Sequence, residues 1–362
     1  MKARASKVSA SKAKASGAKA AGSRKTATGA GKAAGKGKAG GTGKAARKGS
    51  APGKAKGVRK VSASTKAKAG SDVKASRAAA VRKVGAGRAE PVIFIYGGGK
   101  VGRGLQRALR AVGVSAALRP ARRGLPRRPI DADLVIVALR DRDIATCAEA
   151  LRARGLIGHR RCAVVHCAGA LGPEALEAVR SERVAVAQMH PMISFASTVS
   201  TPGLLRGQLH VDGDAYAVRL CRALGKQLGM SPRTIPGLDR VAYHAAAGIV
   251  ANGAAALAAG GVGLLERAGV ARATAAAMLG PLLRTVADNV EALGLPQALT
   301  GPVRRGDATG VARHLETLRR LAPELIPLYE ASAAIQLPLA RELGEAKDEA
   351  FDAVEAALSG AS

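Results

Sequence analysis

The sequence predicts an α/β domain with a mostly parallel sheet, followed by an all-α domain and preceded by a segment that builds no core. Three observations carry this reading. Between residues 91 and 237 short apolar, β-rich runs alternate with amphipathic helical stretches, a pattern that joins parallel strands through crossover helices. From residue 238 to 362 the strand signals stop and long Ala/Leu-rich helical stretches take over. Residues 1–90 are mostly Ala, Lys, Gly and Ser, with Thr and Arg, and have no aromatic before Phe94, too little apolar surface to offset the entropy of ordering, so this segment is expected to be disordered.

The elements follow in order. Val92 to Tyr96 is a strand, and the glycine-rich run Gly97-Gly98-Gly99-Lys100-Val101-Gly102 comes directly after it. Val101, Leu105, Ala108, Leu109 and Val112 then recur at helical spacing. Further strands are expected at Val114–Leu118, Leu134–Leu139, Cys162–Cys167 and Val184–Gln188, with a helix through Ile144, Ala148 and Leu151. Gln208 to Val211 and an amphipathic helix close this domain. Four helical stretches follow, at 238–267, 270–293, 308–321 and 324–342. The run Ala245 to Leu265 has Asn252 as its only polar side chain. It reaches membrane-spanning length, but Ala and Gly gain little from lipid, so a buried helix is expected and no membrane is invoked.

Charge is unevenly spread. Residues 1–88 hold 25 Lys and Arg against the single acid Asp72, which places +24 of the total +32 in the first quarter of the chain. A flexible cation of that size seeks phosphates and releases their counterions, so a nonspecific nucleic-acid tether and a nucleoid-associated location are expected; a solvated tail or a misplaced start are the alternatives. No apolar run follows the basic N-terminus closely, so no signal peptide is read. The four cysteines, Cys147, Cys162, Cys167 and Cys221, form no CxxC pair and fall in apolar stretches. They are expected to be small buried thiols in a reducing cytoplasm. His159, Cys162, His166 and Cys167 cluster, but neighbours on a strand face opposite ways, so no metal site is expected.

Gly97-x-Gly99-x-x-Gly102 lies between a strand and a helix, the context in which GxGxxG is informative. Gly97 permits the tight turn, Gly99 lets the backbone approach a pyrophosphate, and Gly102 lets helix and strand pack closely. Lys100 and Val101 open the helix, whose free N–H groups and dipole favour phosphate. This is the dinucleotide-binding loop of a Rossmann-like domain. The second strand ends in Leu118-Arg119-Pro120-Ala121-Arg122-Arg123, with no acid before Asp131. An acid there would bind the ribose hydroxyls of NAD, whereas arginine pairs with the 2′-phosphate of NADP. NADP is therefore expected over NAD, with Arg119 first and Arg122 and Arg123 behind it; a solvated basic loop is the alternative. Ligands of such sheets sit at the carboxyl ends of the strands, which nominates Arg140, Asp141, Ala168, Gly169, His190 and Ser194.

Three segments carry candidate chemistry. His190-Pro191-Met192 follows a strand; His190 is an acid/base candidate presented by a proline turn, or a histidine packed beneath it. Tyr243-His244 and Asn252 lie on the first long helix; they face a cleft, or they are satisfied structural groups. Thr300-Gly301-Pro302-Val303-Arg304-Arg305-Gly306-Asp307 joins two helices; Arg305 could hold an anion, and Asp307 is a candidate catalytic carboxylate or the N-cap of the next helix.

Taken in order, Gly97–Gly102, His166-Cys167-Ala168-Gly169-Ala170, His190-Pro191-Met192, Tyr243-His244-Ala245-Ala246 with Asn252, and Ala298 to Asp307 resemble bacterial Rossmann-like proteins whose C-terminal half is domain of unknown function 2520. The resemblance spans residues 91–340. It implies a fold similar to pyrroline-5-carboxylate reductase and to 6-phosphogluconate and hydroxyisobutyrate dehydrogenases, a nicotinamide cofactor, and a helical domain that forms a homodimer. The resemblance implies an oxidoreductase but no particular substrate; the glycine loop, the basic end of the second strand and the polar clusters of the helical domain add the expectation of an NADP-dependent enzyme acting on a small carbonyl or imine in the interdomain cleft. His244 or His190 would move the proton and Asn252 and Arg305 would orient the substrate. One departure stands out: hydroxy-acid dehydrogenases carry a catalytic lysine one turn before a helical asparagine, where this chain has Gly248. That mechanism does not transfer. The basic segment resembles the Ala/Lys-rich tails of bacterial histone H1-like proteins, which keeps an NADP-binding regulatory protein without turnover as the alternative.

Overall fold

The computed structural model describes residues 91–360. The basic segment 1–88, with its expected disorder and nucleic-acid binding, lies outside them. Seven strands form one sheet in the order β2-β1-β3-β4-β5-β6-β7. They are β1 (Ile93–Tyr96), β2 (Ala116–Arg119), β3 (Leu134–Val137), β4 (Cys162–His166), β5 (Val184–Met192), β6 (Gln208–Gly213) and β7 (Ser231–Arg233). The first five pair in parallel, and only β5 and β6 run antiparallel. Three helices flank the sheet: α1 (Lys100–Ala111), α2 (Asp141–Ala153) and α3 (Ala215–Gln227).

Period-2 alternation splits the sheet into two cores. Ile93, Ile95, Leu134, Ile136, Val165 and Met189 face α1 and α3, while Tyr96, Val135, Val137, Val164 and Val186 face α2 and the turn through Leu176 and Val179. β4 is buried at every residue, as a central parallel strand covered on both sides must be.

The helical region comprises α4 (Arg240–Arg267), α5 (Arg272–Leu293), α6 (Ala308–Leu321), α7 (Ile326–Leu343) and α8 (Asp348–Ser359). A third core gathers Val311 and Leu315 of α6, Leu337 of α7, and Phe351 and Val354 of α8. Two expectations are corrected here. The chain ends in an additional helix, α8, beyond the last stretch read from sequence. And α4 is not buried within its own chain: Val262 is its single buried residue, while Ile249 and Val250 stand 75% and 71% exposed. Among the described residues α4 packs chiefly along α5, which leaves its other side uncovered by them.

β5 also differs from its expected end at Gln188. It continues to Met192 because β6 pairs with it residue by residue, from Ala187↔Gly213 to Met192↔Gln208. The parallel ladder from β4 stops at His166↔Gln188. Beyond that point β5 has a partner on one side only, which is where a proline such as Pro191 is tolerated. His190 therefore sits on a strand projecting past its neighbour, and not in a proline turn.

Candidate functional site

The glycine loop forms where β1 gives way to α1. Gly97 has φ +128°, and a Cβ there would lie 2.2 Å from the carbonyl oxygen of Ala138; one on Gly102 would lie 2.0 Å from that of Gly97. Both positions are closed to any side chain. Gly99 differs: a Cβ built on it meets nothing within 4 Å. The space over Gly99 is thus open, beside a helix N-terminus with no side-chain cap and no acid in its first turn. The loop is braced from below, as Arg103 Nε donates to the Gly98 carbonyl at 3.0 Å and Gly97 N to that of Arg119 at 3.0 Å. Lys100 is exposed and Val101 half-buried at the start of α1.

Next to this loop, the end of β2 opens on a recess of about 770 Å³ lined by Arg119, Arg123, Leu125, Pro126, Arg127, Arg128 and Arg154. Arg119 is partly committed: its Nε donates to Gly124 O and its Nη2 to Arg123 O, both at 2.7 Å. Arg154, at the end of α2, donates to Pro126 O at 3.1 Å. These two arginines shape the recess. Arg122, Arg123, Arg127 and Arg128 are exposed, and none of them joins an ion pair among the described residues.

The carboxyl ends of β4 and β5, together with β6 and the first turn of α4, bring together a histidine cluster. Ala168 and Gly169 form the turn after β4, and two buried polar side chains hold it. His166 Nε2 donates to Gly172 O at 2.8 Å, while its Nδ1 accepts from Ala168 N at 3.2 Å. Gln188 Nε2 donates to Ala168 O at 2.8 Å and Gly169 O at 3.2 Å. With that amide oriented, its Oε1 accepts from His210 Nδ1 at 2.9 Å. A polar residue closing an otherwise apolar strand must find partners when buried. That is the signal by which His166 and Gln188 could have been picked from sequence.

His190 lies opposite His210 across β5 and β6. The first turn of α4 closes over it, fixed by the Asp239 N-cap, which accepts from Val241 N and Ala242 N. An ion pair from Arg240 to Asp212 of β6 ties the same turn to the sheet. Tyr243 OH lies 3.0 Å from His190 Nδ1, and the ring centroids of His190 and His244 are 5.8 Å apart, nearly perpendicular. A Cβ placed on Gly169 would fall 2.4 Å from His244 Nδ1 and 2.9 Å from His190 Nε2. Two imidazole nitrogens thus converge over one glycine.

Burial, aided by the neighbouring His244, His210 and His166, lowers the pKa of His190 to about 4. Burial likewise raises that of Tyr243. Near neutral pH the first is an uncharged imidazole and the second a phenol. Tyr243 OH can donate to Nδ1 or accept from it; in the tautomer where it donates, the His190 proton sits on Nε2, facing Gly169.

Residues 208–335 match the family model described as Domain of unknown function (DUF2520). That segment contains β6, Tyr243, His244, Asn252 and Arg305, and bears out the resemblance read from sequence. Over 69% of its length the chain superposes on 99% of protein TM1727 from Thermotoga maritima, with a TM-score of 0.50 and 23% identity. Protein BF3122 of Bacteroides fragilis, for which an NADP oxidoreductase activity is proposed, matches over 69% of this chain and 98% of its own, with a TM-score of 0.54 and 20% identity. These likenesses establish a shared Rossmann-like fold with a helical region after it. No curated protein sequence matches the chain.

The remaining nominated residues are dispersed. Arg140 is exposed at the N-terminus of α2, and Ser194 is exposed just past β5. Asn252 is exposed on α4, two turns beyond His244. Arg305 is exposed at the end of the 3-10 turn Val303–Arg305. Asp307 caps α6, its Oδ1 accepting from Gly310 N at 2.8 Å. It is Arg304, not Arg305, that is anchored there, by Glu345 and the carbonyls of Gln297 and Leu299. Of the expected cysteines, Cys147, Cys162 and Cys221 are buried, and none forms a disulfide. His159 Nε2 bonds to Gly155 O at 2.8 Å, so this ring and that of His166 are both occupied by backbone carbonyls.

Proposed function

We propose that this protein is an NADP-dependent oxidoreductase that reduces a small carbonyl or imine, or oxidises the corresponding alcohol or amine, in the cleft between the sheet ends and α4. The observation that carries the reading is the convergence of His190 Nε2 and His244 Nδ1 over Gly169, at the same edge of the sheet as the glycine loop. The residues present fit the cofactor. The open space over Gly99 and the uncapped start of α1 suit a pyrophosphate. The unpaired arginines beyond β2 suit a 2′-phosphate. Gly97, Gly99, Lys100, Val101 and Gly102 would hold the first; Arg122 and Arg123, with Arg119 shaping the loop, the second; Arg140, Ala168 and Gly169 would border the nicotinamide. NADP, when bound, supplies or takes up the hydride.

The chain's own residues do the rest. His190, neutral and oriented by Tyr243, donates a hydrogen bond from Nε2 to the substrate oxygen or nitrogen and polarises it. His244, on the solvent side, exchanges the proton. His166 and Gln188 hold the Ala168–Gly169 turn on which both rings rest. Asn252 and Arg305 remain candidates for orienting the substrate, and Asp307 serves as a helix cap. The test is a titration with NADPH and NADH followed by nicotinamide fluorescence, then turnover on a panel of ketones and imines. NADPH binding in preference to NADH, with turnover lost in His244→Ala and His190→Ala, is expected. Full turnover in both variants would remove their assigned roles.

We also infer a homodimer, formed through α4 and α5, within a division at residue 237/238 into a cofactor-binding and a helical domain. Val241, Ile249, Val250 and Leu257 of α4 and Met278, Leu282, Val286 and Val290 of α5 are exposed among the described residues, and apolar side chains repeated at helical spacing on two paired helices suit a covered interface. α4 is long and apolar enough to cross a membrane, but Arg284, Asp288 and Glu291 on α5 suit an interface with a polar rim better than lipid. The reducing cytoplasm is the location consistent with the unpaired cysteines. Sedimentation should give a dimer, and Ile249→Glu with Val250→Glu a monomer; a monomeric wild type overturns the inference.

A further inference from the structure

The arginine recess beside β2 holds more positive charge than a single ribose phosphate requires. Five arginines line it, namely Arg119, Arg123, Arg127, Arg128 and Arg154, and no acidic side chain among the described residues does. The nearest acid in sequence, Asp131, is engaged by Arg160 at 3.0 Å. Arg119 and Arg154 spend part of their donors on carbonyls of the loop. They hold Gly124 to Pro126 in place and so fix where the neighbouring guanidinium groups emerge. Among the described residues Arg123, Arg127 and Arg128 join no ion pair around the recess. One phosphate monoester presents about two negative charges and is satisfied by one or two bidentate guanidinium contacts. Like charges gathered without a counter-charge repel one another, and a multivalent anion relieves that repulsion more than a monovalent one. At about 770 Å³ the recess also has the size of a ligand site, not of a single anion contact.

We propose that this recess is an oligophosphate site: a ligand with two or more linked phosphate groups binds Arg123, Arg127 and Arg128 and competes with the phosphate end of the cofactor. The competition rests on the reading that NADP places its ribose phosphate here; the binding itself does not. Loading the site with a phosphate-rich ligand would therefore lower the fraction of protein holding NADP, a direct coupling between cofactor occupancy and phosphate supply.

The test uses the full chain and three probes: inorganic tripolyphosphate, ATP and orthophosphate, each measured by calorimetry at matched ionic strength, with sulfate as the control for screening. Tripolyphosphate is expected to bind roughly tenfold or more tighter than orthophosphate, and Arg127→Gln with Arg128→Gln to remove most of that advantage. Both residues are exposed, so the variant should fold; an unchanged Tm checks this. ATP binding tighter than tripolyphosphate would show that a nucleoside is read as well, and equal binding that the phosphate chain alone is recognised. Because residues 1–88 are also basic, the double variant and not the wild type decides: tripolyphosphate binding that survives Arg127→Gln/Arg128→Gln unchanged, or that sulfate matches, overturns the proposal. Displacement of NADPH is read separately. If tripolyphosphate binds through Arg127 and Arg128 but leaves NADPH in place, the oligophosphate site stands and the placement of the ribose phosphate fails.

Discussion

The titration of His190 tests the site without knowledge of its substrate. The ring is held between β5 and the first turn of α4, and burial is the main reason its pKa falls from 6.5 to about 4. In the unfolded chain the same imidazole titrates near its ordinary value of about 6.5. Between those two pH values the unfolded chain binds a proton that the folded chain does not, so stability rises with pH across this window. The contribution is complete above about pH 6.5 and is lost as the pH falls to about 4. A gap of this width corresponds to roughly 3 kcal/mol at its full extent. His166 and His210 are also lowered, burial again first, and add to the slope with the same sign. The assay is denaturant unfolding at intervals from about pH 8 to about pH 4, on the wild type and on His190→Asn. The variant should show a shallower slope, and the difference isolates His190. A proton NMR titration of the wild type gives the pKa directly. A His190 resonance that titrates at 6.5 or above, together with equal slopes, refutes the claim that this imidazole is buried and neutral.

Three further predictions test the geometry. Gly169→Ala puts a methyl 2.4 Å from His244 Nδ1 and 2.9 Å from His190 Nε2; the exposed His244 must retreat by about 1 Å, a displacement that can cost on the order of 100-fold in turnover. Its Tm should change little because His244 can swing into solvent, and unchanged turnover in steady-state kinetics would contradict the convergence of the two rings. Gly99→Val should leave the Tm close to wild type, since nothing lies within 4 Å of its Cβ, while Gly97→Ala and Gly102→Ala drive a methyl into backbone oxygen and should lower the Tm sharply. NADPH fluorescence should be lost in Gly99→Val, and full binding by that variant would show the loop to be only a strand–helix turn. Tyr243→Phe removes the 3.0 Å partner of His190 Nδ1; kcat should fall by roughly tenfold with a smaller change in KM, and a variant with wild-type kcat would remove Tyr243 from the mechanism.

What the sequence determined by itself is local. A β-rich run ending in Gly97-Gly98-Gly99 defines its own turn, because only glycine fits the backbone that Gly97 adopts. The periods of apolar residues distinguish strands from helices, and Leu134–Val137 and Ala308–Leu321 fall where their patterns place them. The arginines after β2 and the polar residues at strand ends are legible because neither belongs in a core. The tertiary structure decided which of these meet. His190 and Tyr243 are 53 residues apart, and nothing in either segment states that the first turn of α4 closes over β5. That contact depends on β6 pairing antiparallel and on Arg240 reaching Asp212. Likewise Arg119, the strongest arginine candidate by position, turns part of its guanidinium onto the carbonyls of Arg123 and Gly124. The apolar run of α4 reads as buried in sequence, yet the described residues leave most of it uncovered, because apolar periodicity records that a surface must be covered and not what covers it.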